Sequence, residues 1–263
     1  MDFRYITPEA AMKGRFAAES VPAWKTTILC FRDLKRSLRI VRQSGAKPLG
    51  RYLLWGLDRT PNEEFVYEIH FADEPVGLVT RCIWGGPQAA ILVEELAYLG
   101  VRNIISWSCA GSFDPAVRKG ELIVAASAIT TDGTSLSYTS EPVVFPDPGL
   151  LALSSDVSRG LSYGLRRVCA ATTDAIYRET PEAVENWRKK GAQIVNMETS
   201  AFYAAGAACG VKCLWMGHIT DCIGETWEDW FSDLETAEDA SMRLCLEVAA
   251  RLALSLCVQT DEA

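Results

Sequence analysis

Gln193-Ile-Val-Asn-Met-Glu-Thr-Ser-Ala-Phe-Tyr203 passes from apolar to polar and back to apolar within one short stretch. Ile194 and Val195 read as the end of a buried strand, Asn196 as the turn, and Thr199 to Cys209 as an Ala-rich helix. Glu198 therefore stands at a strand-to-helix junction, beside helix N-terminal NH groups that favour negative charge. Such junctions, at the C-terminal ends of strands, are where open α/β sheets bind ligands. Met197 next to it offers an apolar, adaptable wall. The same local pattern also fits a glutamate in the first turn of an ordinary helix.

Outward from this junction the chain alternates strand and helix patterns. Thr26-Thr-Ile-Leu-Cys-Phe31 reads as a buried first strand, and apolar residues at 34, 38 and 41 mark an amphipathic helix. Residues 51–57 and 64–71 read as strands around the turn Asp58-Arg-Thr-Pro-Asn62, and Val76 to Ile83 as another. A helix over Ala89 to Leu99 follows the turn Gly85-Gly-Pro-Gln88, with Pro87 suited to a first turn and Gly100 to a helix end. Strands are expected over 103–108, ending at Cys109-Ala-Gly-Ser112, and over 119–128 with a leading turn. Asp132 to Ser135 is a turn, 140–149 a loop with three prolines, 150–163 a helix, 167–171 a strand and 181–190 a helix. Downstream, Val211 to Ile219 reads as a buried strand ending at Thr220-Asp221, expected beside the strand that leads to Glu198, and 235–257 as a long amphipathic helix. This alternation predicts a mainly parallel sheet with helices on both faces. With no repeat and no composition break, residues 1–263 read as one domain.

Composition narrows the function classes. The 263 residues are 49% apolar and 23% charged, an ordinary globular balance. A net charge of −8 disfavours nucleic acid as a partner. The nine cysteines form no CxxC pair, and with two histidines in the chain a zinc site is not expected. The start, Met-Asp-Phe-Arg-Tyr5, has no apolar core of a signal peptide, and no apolar run reaches membrane-spanning length. The expectation is a reduced, cytoplasmic protein without a membrane partner.

Six segments, in order, resemble the purine nucleoside and uridine phosphorylase superfamily. Asn196-Met-Glu-Thr-Ser-Ala201 resembles its Met-Glu signature, and Trp84-Gly-Gly-Pro-Gln-Ala-Ala90 its Gly-rich turn. Ile104-Ile-Ser-Trp-Ser-Cys-Ala-Gly111 resembles its Ile-Ile-Arg strand, and Asp132-Gly-Thr-Ser-Leu-Ser-Tyr138 and Thr172-Thr-Asp-Ala-Ile-Tyr-Arg-Glu-Thr180 are similar to segments of its uridine phosphorylase-like branch. Thr220-Asp221 completes the set. The resemblance implies a single-domain, three-layer αβα fold with a mixed, mostly parallel sheet. It implies cleavage of the N-ribosidic bond of a nucleoside, a purine or purine-like base being favoured, and a homo-oligomer, dimer to hexamer. No cofactor is implied; phosphate is the candidate co-substrate. Met197 and Glu198 would hold the ribose. Ala110, Gly111, Ile176, Tyr177, Asn196 and Asp221 would surround the base, Asp221 protonating or hydrogen-bonding it with a pKa raised by burial.

The nucleophile side departs from the family pattern. Phe31-Arg-Asp-Leu-Lys-Arg36 carries Arg32 where the family has the glycine of its phosphate loop, although Asp33 and Arg36 match. Ser106 replaces a second phosphate arginine and Cys109 a hydroxyl donor, and arginine holds phosphate better than any substitute. Arg32, Arg36, Ser106 and Cys109 thus form the candidate phosphate or nucleophile pocket, which Arg32, Lys35 or Arg36 could rebuild. Hydrolysis or an atypical acceptor is the expectation. The alternatives are a non-catalytic nucleoside-binding or storage protein and a repurposed enzyme of specialised metabolism. His70 and His218 are expected to serve structure. Trp227 and Trp230 are candidates for a flap over the base or for an ordinary packed turn.

Overall fold

The computed structural model describes residues 4–12, 22–49, 65–82, 84–224, 226–229 and 234–260. The strand read over 51–57, the turn at 58–62, Ile83 and Trp230 lie outside the described residues. In chain order the elements are α1 (Pro8–Met12), β1 (Thr26–Cys30), α2 (Leu34–Ser44), β2 (Lys47–Pro48), β3 (Val66–Phe71), β4 (Glu74–Val79) and α3 (Gly86–Tyr98). Then come β5 (Asn103–Ser112), β6 (Leu122–Ile129), β7 (Val143–Val144), α4 (Pro148–Gly160), β8 (Leu165–Thr172) and α5 (Pro181–Lys189). The last are β9 (Ile194–Asn196), α6 (Thr199–Cys209), β10 (Lys212–Ile223), β11 (Trp227–Glu228) and α7 (Glu235–Thr260). The short β7 interrupts the loop expected over 140–149.

The described strands join in one mixed sheet whose longest pairings are parallel, β10 with β5 and β6 with β8. The order runs β11-β10-β6-β8-β9-β5-β1-β4-β3-β2, and β10 also pairs with β5. Strands β5, β10, β6, β8 and β9 therefore close on themselves. This corrects one expectation: β10 does not lie beside β9. β5 lies between them, and Gly111 pairs with Val195 on one side and Asp221 on the other. The two carboxylates still converge on β5: β10 runs parallel to it and sets Asp221 beside Gly111, while β9 runs antiparallel and leads back to Glu198, which the Ser108 hydroxyl bonds.

Two apolar layers sandwich the sheet. α3 and α6 cover one face, packing Leu92, Leu96, Phe202 and Ala205 against Ile104, Ile123 and Trp215. α2, α4 and α7 cover the other, packing Ile40, Leu150, Met242 and Val248 against Ile28, Ile105 and Leu214. α5 closes the end of the ring with Val184 and Trp187 against Phe113 and Val195. The strands at the centre are buried on both faces, which is why they read as continuous apolar runs. Every cysteine whose side chain is described is a free thiol. No described helix is long and apolar enough to cross a membrane.

The close β5–β10 approach depends on Gly217, which pairs with Ser108. A Cβ at 217 would overlap the Ser108 carbonyl oxygen and press on Trp215 at 3.2 Å. Gly217→Ala is expected to destabilise the protein by about 1–3 kcal/mol, since a packed backbone cannot give way cheaply. Urea unfolding checks this; a variant as stable as the parent would show that the two strands can separate without cost.

Candidate functional site

The ends of β1, β5, β9 and β10 open onto a cavity of about 700 Å³. Arg32, Arg36, Cys109, Ala110, Gly111, Ile176, Tyr177, Asn196, Met197, Glu198 and Asp221 line it; Ser106 and Lys35 do not. Ser106 lies inside β5, paired with Leu29 and Trp215, and is fully buried with no hydrogen-bond partner for its hydroxyl among the described residues. It sits two residues before Ser108, roughly 7 Å deeper along the strand. An arginine could span that distance; a serine cannot. Ser106 therefore does not line the candidate nucleophile pocket. Trp107 faces the opposite layer and donates to Ser241 Oγ at 2.8 Å.

Glu198 is 2% exposed and forms the floor. It occupies the N-cap position of α6 but its side chain does not cap the helix. Asn196 does so instead, its Oδ1 accepting from Thr199 N at 3.2 Å, so the Asn196 amide is committed to the helix start. Glu198 is left free to turn into the cavity. Its Oε1 accepts from Trp215 Nε1 at 3.1 Å, its Oε2 from Met197 N at 3.2 Å, and the Ser108 hydroxyl bonds it as well. Burial pushes the carboxyl above the usual range, against the pull of those hydrogen bonds and of the Arg32 charge. The turn at Asp132 braces this helix start from behind: its carboxylate accepts from Ser200 Oγ and, at 2.8 Å, from Ser135 N. Gly86 allows α3 to meet it, since a Cβ there would lie 3.0 Å from Ala201 Cβ.

Asp221 lies over Gly111, where a Cβ would stand 3.0 Å from its Oδ2. Any side chain at 111 would displace the carboxylate. Asp221 Oδ1 accepts from Thr220 Oγ1 at 2.8 Å and Oδ2 from Trp227 Nε1 at 2.9 Å. Trp227, on the β10–β11 hairpin, is thus a holder of Asp221 as well as a wall of the cavity. Ala110 and Gly111 supply the β5 wall, and Ile176 and Tyr177 form a short helical turn at the mouth, where Tyr177 is 94% exposed.

The opposite end carries the basic residues, which are paired with carboxylates. Arg32 is buried, and its Nη2 donates to Glu238 Oε1 from α7. Arg36 Nε donates to the same oxygen at 2.5 Å, and its Nη1 pairs with Asp33, which caps α2 through Arg36 N at 3.1 Å. Arg39 extends the α2–α7 contact by pairing with Asp239 at 2.6 Å. Behind Glu238, Ser241 Oγ donates to the Glu238 carbonyl at 3.0 Å and meets His218 Nδ1 at 3.1 Å. Burial, with Arg32 and Arg36 adding repulsion, holds the His218 imidazole near pKa 3, so it is neutral. Cys109 stands between Arg32 and Asp221, its thiol pushed up by burial against the Arg32 charge.

Glu238 and Glu179 are charged cavity residues with no signature in the sequence. Glu238 looks like one of several acidic residues starting a helix; its partner Arg32 is 206 positions away. Glu179 follows the Ile176–Arg178 turn and lines the cavity near Asp221. Nothing in either local pattern marks them.

A sequence profile described as Phosphorylase superfamily matches residues 51–255. The chain is similar to an uncharacterized protein of Acanthamoeba polyphaga mimivirus, 31% identical over 161 residues, which is 61% of this chain and 63% of that protein. It thus spans less than two thirds of that viral relative. A DeoD-type purine nucleoside phosphorylase of Clostridium novyi is 27% identical over 63% of this chain and 72% of its own length. A uridine phosphorylase of Salmonella typhimurium is 23% identical over 64% and 72%. Among solved structures, the purine nucleoside phosphorylase of Toxoplasma gondii in complex with immucillin-H superimposes with a TM-score of 0.75 at 20% identity, covering 92% of this chain and 95% of that one.

Proposed function

This chain belongs to the phosphorylase superfamily, and we propose that it cleaves the N-ribosidic bond of a nucleoside, with water or another uncharged acceptor in place of phosphate. The observation that carries the reading is Glu238 on Arg32 and Arg36. Two guanidiniums at the nucleophile end meet two carboxylates, Glu238 and Asp33, and His218 is neutral. That end has no surplus positive charge for a phosphate dianion. A dianion would have to displace a buried carboxylate from a buried guanidinium, against a cost of several kcal/mol.

Cleavage builds positive charge on the ribose as the base departs. Met197 and Glu198 hold the ribose, and the Glu198 carboxylate accepts from its hydroxyls, strengthening as the charge develops. Asp221, over Gly111, meets the leaving base, and Ala110, Asn196, Ile176 and Tyr177 complete its surroundings. A purine or purine-like base is the favoured occupant of this cavity of about 700 Å³. Arg32 Nε is buried with no hydrogen-bond partner among the described residues, and Arg32 acts electrostatically on both Glu198 and Cys109. It is the donor best placed to orient a water. No cofactor enters this scheme.

Incubation with a panel of nucleosides, with and without phosphate, tests the reading. Chromatography should find free base and ribose at a rate indifferent to phosphate. Ribose 1-phosphate, formed at a rate that saturates in phosphate at millimolar levels or below, would overturn it. We further read the chain as one domain over 1–263, cytoplasmic, and as a homo-oligomer. Trp84, Tyr177 and Trp227 leave aromatic surface exposed at the cavity rim, of the kind a second subunit covers. Light scattering at micromolar concentration should give a multiple of the 28.9 kDa chain mass; a monomer would refute the oligomer.

A further inference from the structure

We infer that the proton delivered to the leaving base is carried by Glu179, with Asp221 as its anionic neighbour, so that cleavage has a titrating donor that the sequence does not reveal. This rests on the cleavage reading above. The two carboxyl groups line the same end of the cavity but differ in what holds them. Asp221 is fixed by two donors, Thr220 Oγ1 and Trp227 Nε1. Both bonds are of the kind an ionised carboxylate accepts. Glu179 is half-buried, and its carboxyl has no hydrogen bond or ion pair among the described residues. A carboxyl without donors, partly removed from water and beside another carboxylate, keeps its proton.

The charged and titratable groups on the elements around Glu179 are Tyr177 and Arg178 on its own turn, Glu182, Glu185, Arg188 and Lys189 on α5, and Asp221, Cys222 and Glu228 on the β10–β11 hairpin. Of these, Asp221 is the one whose charge acts on it. Burial, with the Asp221 charge adding to it, raises the Glu179 carboxyl to about 7. The cationic end of the cavity does not offset this: Arg32 acts on Glu198 and Cys109 but not on Glu179.

The step balances simply. The N-ribosidic bond breaks with its electron pair going to the base. The Glu179 proton passes to a ring nitrogen of that base, leaving Glu179 ionised. Water adds to the ribosyl cation and releases a proton, which restores Glu179 through solvent. Two like charges then face each other until reprotonation, which favours the return of the proton.

Two measurements test this, on a nucleoside the wild-type protein cleaves. Glu179 must be protonated to act, so kcat/KM should be level below about pH 7 and fall as pH rises through it. Glu179→Gln should lower kcat/KM at pH 6 by about 10²-fold or more and abolish the limb near 7. Independently of activity, carboxyl-labelled glutamate followed by NMR should show one group titrating near 7. That group should vanish in Glu179→Gln and titrate lower in Asp221→Asn. If the Glu179→Gln profile superimposes on that of the wild type, this inference is wrong and the cleavage reading stands. If the NMR titration is seen but no nucleoside is cleaved, the cleavage reading has failed and the donor role falls with it.

Discussion

Glu198→Gln should lower kcat/KM on a cleaved ribonucleoside by roughly 10²–10⁴-fold while leaving the fold intact. Each hydrogen bond from a ribose hydroxyl to a charged acceptor contributes about 1.5–3 kcal/mol. Two such bonds, at about 1.4 kcal/mol per tenfold change, give that range. The effect should fall mainly on kcat, because the carboxylate gains strength only as the ribose becomes cationic. The fold should survive because the neutral amide oxygen can still accept from Trp215 Nε1, the contact that Glu198 Oε1 makes now. Burial already disfavours the ionised form, so removing the charge relieves a cost in the free protein. The same substitution assayed on a 2′-deoxynucleoside should show a smaller loss, since one of the two bonds is missing from the start. A variant within twofold of the wild type on the ribonucleoside would reduce Glu198 to a helix-start residue.

Glu238→Ala should destabilise the protein by about 3–5 kcal/mol and make it respond to phosphate. The Arg32 and Glu238 side chains are 6% and 5% exposed. Removing one member of a buried pair strands the other charge away from water, which costs far more than an exposed pair contributes. Arg36 adds little, being 38% exposed and keeping Asp33. The freed guanidiniums then form an anion site. Phosphate at a hundred times its dissociation constant would restore about 2.7 kcal/mol, so the melting temperature of the variant should rise with phosphate. The wild type should not show this rise, because its own carboxylate already fills the place. Glu238→Gln, which keeps the volume and two polar atoms, provides the same comparison if the alanine variant folds poorly. A wild-type protein stabilised by phosphate as strongly as the variant would mean that the anion binds beside Glu238, and the argument for a phosphate-independent reaction would collapse.

The fold was legible in the sequence where periodicity is strong and local. The strands at 103–112 and 212–223, the helix at 199–209 and the C-terminal helix follow from uninterrupted apolar runs, an alanine run and helical spacing. The junction at Asn196 to Glu198 was legible for the same reason, since strand end, turn and helix start follow one another without a break. Its inner workings were not. That Asn196 caps the helix and so frees the Glu198 side chain depends on side-chain rotamers, which the residue order leaves open.

What the sequence by itself determined is the set of groups delivered to the cavity: Glu198, Asp221, Arg32, Arg36 and Cys109, each placed on an apolar strand or on the turn or helix that follows one. What only the tertiary structure decided is which of them are free to act. Ser106 drops out because depth along a strand, not position in a motif, sets a side chain's reach. β5 rather than β9 adjoins β10 because the strands close into a ring, a long-range pairing that no local pattern encodes. The charge at the nucleophile end is cancelled by Glu238, and the base end gains a second carboxyl in Glu179. Both effects are electrostatic and act across space between residues far apart in the chain. Coulomb interactions depend on distance and burial, and neither is a property of a sequence window.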